Sequence, residues 1–187
     1  MIQLPFRRPG REPTIRALYG MIVAQARSMP FYRDHGVPDT VPGRIEMIVL
    51  HLALVLRRLR RDEAVTRQAS QALFDLFCQD MDDNFRELGV GDLAVPKEVR
   101  RVAEAFYGRG RVYDAALDAA DDEALAAAVA RNILARPTDA SARAIAAYIK
   151  AVEAALSATP VEQVLQSQAV WPDLETTSAA SAASNAH

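Results

Sequence analysis

At 187 residues, half of them hydrophobic, the chain is long enough to enclose one substantial core. Twenty-two basic against twenty-four acidic side chains leave a net charge of −2, which argues against a dedicated nucleic-acid binder, a class that carries a basic excess. The single cysteine, Cys78, excludes an internal disulfide framework and fits a reducing compartment, where it reads as a small core hydrophobe.

Taken in chain order, the N-terminal MIQLPFRRPGREP is broken by proline and arginine and is no apolar signal segment; residues 1–12 are expected to be flexible. Residues 13–27 (PTIRALYGMIVAQAR) read as a first helix with Thr14 as a candidate cap, and they open a helical domain over 13–156. SMPFYRDHGVPDTVPG follows, and its prolines and glycines predict a long loop. In the next helix Ile45, Ile48, Val49, Leu52, Leu56 and Leu59 share one face, while Met47, Leu50 and Leu54 make the other side apolar too. A helix apolar all round is a central one. Its run IEMIVLHLALVL is too short for a membrane span, which needs about 20 residues, and the arginines that end it suit the negative pole of the helix dipole.

The third helix is predicted over about 64–88, with Leu73, Leu76, Phe77, Met81, Phe85 and Leu88 as its core stripe and Gly89 as a left-handed stop. Pro96 fits the first turn of a fourth helix, in which Val99, Val102, Phe106, Gly110, Tyr113 and Leu117 line one side. Glycine inside a helix costs about 1 kcal/mol relative to alanine. A close helix crossing at Gly110 is the expected compensation. Two alanine-rich helices then run from Asp121 to about 135 and from Thr138 to about 156. Thr159-Pro160-Val161-Glu162 matches a capping box, so residues 157–175 read as a short capped helix and an extension. From 176 to 187 the chain has nothing to bury and is expected to be disordered. The fold class is therefore all-α, a compact bundle of about six helices.

QDMDDNFRELGVGD, residues 79–92, most invites a chemical reading. Asp80, Asp82 and Asn84 stand where a calcium loop places its first ligands, but that loop needs glycine at its sixth position and glutamate at its twelfth. Phe85 and Gly91 occupy those places, and Phe85 completes a helical core stripe. A di-metal carboxylate bundle needs Glu-x-x-His motifs, and none of His35, His51 and His187 follows a glutamate at that spacing. His51 reads as a hydrogen-bonded core or boundary histidine. No nucleophile elbow, phosphate loop or cysteine pair occurs, so no catalytic residue, metal or cofactor is expected.

Two surface patterns remain. Asp80, Asp83 and Glu87, spaced by three and four, lie together beside the apolar stripe, with Asp92 just beyond. Either Arg57, Arg58 or Lys97 neutralises them within the fold, or they dock a basic partner. On the fourth helix Arg100, Tyr107 and Arg111 fall away from the core stripe, as a solvated face or as interface anchors.

The segments LYGMIVAQAR, FYRDHGVPDTVPGRIEMIVLHLALVLRRLR, ALFDLFCQDMDDNFRELGVGDLAVPKEV and EAFYGRGRVYDAAL together resemble the ubiquinol–cytochrome c chaperone family over about residues 13–150, with the tail after about 157 outside the likeness. GVPDT, DMDDNFRELGVGD and EAFYGR make it specific. The resemblance implies an α-helical assembly factor, not an enzyme, that binds newly made cytochrome b and assists biogenesis of respiratory complex III. The ribosome, a small co-chaperone and a peripheral membrane contact are further partners it suggests; no specific nucleic acid is expected. The brief N-terminus points to a bacterial member in the cytoplasm, at the inner membrane, the counterpart of the mitochondrial matrix side in eukaryotes. Loops of membrane proteins on that side carry excess lysine and arginine. Asp80, Asp83, Glu87 and Asp92, with Arg100, Tyr107 and Arg111, are thus the candidate partner-binding residues. The rival expectation is a helical adaptor that docks on ribosome or RNA through its basic helix faces.

Overall fold

From Met47 to Leu56 every side chain is buried, including those on opposite faces of the same helix. A segment apolar all round must be enclosed by other elements, and it is. The computed structural model describes residues 11–168, 171–174 and 177. Among them every regular element is helical: α1 (Arg11–Ala26), α2 (Met29–Arg33), α3 (Val41–Arg60), α4 (Glu63–Glu87), α5 (Val95–Asp118), α6 (Asp122–Val129), α7 (Ala140–Ala158) and α8 (Val161–Leu165). The central α3 packs against α1, α4, α5 and α7, while α6 bridges α5 and α7, and α8 rests on α1. No helix among the described residues is long and apolar enough to cross a membrane.

The six long helices stand where the periodicity places them, and the differences lie at their ends. The first helix begins at Arg11, so Thr14 lies inside it and is not its cap. The expected loop after it contains α2, because Pro30 suits a first helical turn and Phe31 is an apolar anchor buried in the core. Helix α3 starts at Val41, with the Thr40 hydroxyl accepting from the Gly43 amide at 3.3 Å. Gly43 has a steric reason to be glycine: a Cβ there would stand 2.0 Å from the Pro38 carbonyl oxygen.

Gly89 takes the left-handed conformation beyond α4 (φ +81). Leu88, expected in the core stripe, is instead 55% exposed. A Cβ on Gly110 would meet nothing within 4 Å, so the expected close crossing is absent. Asp121 caps α6, which runs on into a π-helical turn at Ala130–Leu134 closed by left-handed Ala135. Asp139, not Thr138, caps α7 by accepting from the Ala142 amide at 2.9 Å. Thr159 does not open α8 either; its hydroxyl donates back to the Ala155 carbonyl at 2.8 Å, where it closes α7. Val161, Val164 and Leu174 are buried on the common core. Of the flexibility expected over 1–12, residues 1–10 lie outside the described residues while Arg11 and Glu12 belong to α1; of the disorder expected over 176–187, all but Thr177 lies outside them.

One polar knot lies inside this core. His51 Nδ1 is 2.8 Å from the Met47 carbonyl, which can only accept, so Nδ1 carries the proton. Nε2 then accepts from the Tyr148 hydroxyl at 2.9 Å, and that hydroxyl accepts from the Gln25 amide, also at 2.9 Å. Phe31 and Trp171 stand edge-on to the imidazole. Burial outweighs the hydrogen bond to Met47 and lowers the His51 pKa to about 4.

Candidate docking surfaces

The acidic stretch lies wholly within α4 and the connection to α5, so its residues follow helical geometry rather than a metal loop. Asp80 is a link to α1: it accepts from the Tyr19 hydroxyl at 2.7 Å and from the Asn84 amide at 3.2 Å. Burial, and then that bond to Asp80, push the Tyr19 phenol well above its ordinary pKa. Asp82 and Asp92 both pair with Arg86, the former at 2.6 Å. Asp83 and Glu87 are exposed and have no ion-pair partner among the described residues.

The arginines expected to neutralise this group are occupied elsewhere. Arg57 meets Asp114 at 3.1 Å and Asp118 at 2.5 Å. Arg58 donates to the Leu156 and Thr159 carbonyls at 2.8 and 3.0 Å. Arg61, not among those expected, likewise pairs with Glu153 and donates to Ser157. The reason is geometric. The arginines close α3 where α4 begins, and Asp80 lies 17 residues beyond Glu63, about 26 Å along the helix at 1.5 Å per residue. These contacts tie α3 to the ends of α5 and α7. Lys97 forms no ion pair with the group either.

The tip where α4 turns into α5 therefore combines free carboxylates with bare apolar surface. Leu93 is 99% exposed and follows Asp92 directly; Leu88 follows Glu87. Isolated exposed leucines are ordinary, but two of them within an acidic turn form a small amphipathic knob.

The three candidates on α5 part company. Arg100 pairs with Glu104 one turn on, at 2.8 Å, on an exposed face. Tyr107 and Arg111 instead line a groove of about 470 Å³ between α3, α4 and α5. Its floor is aromatic: Phe74 lies 5.1 Å from Phe106 and 5.4 Å from Tyr107, ring centre to ring centre. Its rim carries Arg60, paired with Asp114 at 2.6 Å, and Arg67, paired with Glu63 at 2.9 Å. Arg111 is exposed and has no carboxylate partner among the described residues. Sequence reasoning did not single out Phe74 or Arg67, or place Arg60 and Gly110 in one groove. The adjacent aromatics Phe106 and Tyr107 were the available signal, since one had to face the core and the other away.

Among the described residues no group of three or more His, Cys, Asp or Glu side chains could hold a metal ion. Cys78 is half-buried against the core, and burial, with Asp75 nearby, raises its thiol pKa. The fold is an all-α bundle with an acidic, apolar tip at one end of α4 and an arginine-rimmed aromatic groove at the other.

The chain belongs to the ubiquinol-cytochrome C chaperone family, whose sequence pattern matches residues 33–171. The match begins later than the expected residue 13 and continues past residue 157, so the segment with α8 and Trp171 is inside the family pattern, not beyond it. The chain is also similar to the Cbp3 homolog from Brucella abortus, known from a crystal structure: 37% identity, a TM-score of 0.80, and coverage of 88% of this chain and 92% of that one. Comparison with curated proteins gives no match.

Proposed function

We propose that this chain binds newly made cytochrome b and assists biogenesis of the ubiquinol–cytochrome c reductase complex, as a chaperone rather than an enzyme, on the cytoplasmic side of a bacterial inner membrane. Membership of the chaperone family supports the role. The observation that carries the client assignment is the tip, where Asp83 and Glu87 have no ion-pair partner among the described residues and Leu93 is almost wholly exposed. A membrane protein with cytoplasmic loops rich in lysine and arginine offers the complementary charge, and its unassembled spans offer apolar side chains.

The test reverses charge at Asp83, Glu87 and Asp92 together and leaves Asp80 intact, because Asp80 holds Tyr19. The expected outcome is a wild-type melting temperature with cytochrome b co-purification greatly reduced and more salt-sensitive. Full recovery of cytochrome b with this variant would overturn the assignment.

A further inference from the structure

The arginine-rimmed groove is a second surface, distinct from the tip. Helix α4 lines it with Arg67, Ser70, Gln71 and Phe74, which lie about half a turn round the helix from Asp83 and Glu87. Three features set its chemistry. The floor exposes aromatic surface, with Tyr107 itself 57% exposed. The rim holds three guanidinium groups against the two carboxylates Glu63 and Asp114, and Arg111 is the one left unpaired among the described residues. Gly110, in the middle of α5, omits a side chain where one would meet only open space. Alanine there would favour the helix by about 1 kcal/mol, and packing gives no reason against it. Gly110 lines the groove, and its absent Cβ leaves the groove open at that point of α5.

We infer that this groove receives an apolar segment of the client, in which an aromatic or leucine side chain lies beside a carboxylate. The apolar side chain rests on Phe74, Phe106 and Tyr107, and the carboxylate pairs with Arg111. A basic loop, suited to the acidic tip, does not fit a rim with a surplus guanidinium. The groove therefore takes a different stretch of the client, and the two surfaces do not compete. This inference rests on cytochrome b being the client.

The experiment places the photo-crosslinking amino acid benzoylphenylalanine at Tyr107, and separately at Leu93, in the full chain within cells that make cytochrome b. Adducts are sequenced by mass spectrometry. Expected at position 107 is a cytochrome b peptide that is apolar and contains Asp or Glu. Gly110→Leu, which fills the groove, and Arg111→Glu should each lower that adduct by about tenfold, while Arg111→Lys retains most of it. Each variant should melt no lower than wild type, with Gly110→Leu melting slightly higher because leucine favours the helix over glycine. Adducts to cytochrome b from position 93 but none from 107 would overturn the groove assignment and leave the client reading standing. Adducts from neither position would overturn both. An adduct from 107 to a second copy of this chain or to another protein would show that the groove has a different occupant.

Discussion

His51 is held neutral by its surroundings. Both ring nitrogens are engaged, and a proton on Nε2 would break the bond from Tyr148 and place a charge in an aromatic cage. In the unfolded chain this histidine titrates near 6.5, and in the fold near 4. Between those values the unfolded state binds the additional proton, so stability is full above about pH 6.5 and falls as pH drops toward 4. The loss should reach on the order of 3 kcal/mol at the acid end. Urea unfolding at pH 7 and pH 5 should show it. In NMR the His51 ring protons should hold constant shifts down to about pH 5. An imidazole that titrates near 6.5 in the folded protein would contradict the buried network.

At the scale of the element, two glycines of identical composition play opposite parts. Gly43 lies where α3 leaves Pro38, and a methyl group there collides with backbone. Gly43→Ala should destabilise by about 1–3 kcal/mol, the cost of overpacking a site that cannot give way. Gly110→Ala should stabilise by up to about 1 kcal/mol, because only helix propensity changes. Thermal melting of the two variants checks the contrast. Helix ends follow the same logic of competing local contacts. Asp139 takes the α7 cap from Thr138 because its carboxylate reaches the Ala142 amide. Thr159 returns its hydroxyl to α7, although its spacing to Glu162 matches a capping box.

For the whole molecule, the decisive element is α3, whose neighbours are α1, α4, α5, α7 and the π-helical turn. Leu52 is fully buried in its middle. Leu52→Asp places an unpaired carboxylate among apolar side chains, where an uncompensated charge costs several kcal/mol, comparable to the total stability of a domain. Circular dichroism should show loss of cooperative melting, and most of the expressed protein should be insoluble. A soluble variant that melts like wild type would mean that α3 is peripheral. The arginine cluster at the end of α3 adds a second tie between distant elements through Asp114, Asp118 and Glu153.

The sequence alone determined the all-α class, the six long helices, the central place of α3 and the family, because each is written in local periodicity or in contiguous motifs such as DMDDNFRELGVGD. It also located the tip carboxylates and picked out Tyr107 and Arg111. Which charges are free was decided only by tertiary structure. Asp80 is tied to Tyr19 across 61 positions, Arg57 to Asp114 across 57, and neither pairing has a signal in spacing along one helix. The groove was hidden for the same reason. Phe74, Tyr107 and Arg60 belong to three helices, and only the packing of those helices sets an aromatic floor beneath an arginine rim. Periodicity tells which face of a helix turns inward; which helix covers that face, and what it leaves bare, depends on contacts that are remote in the chain.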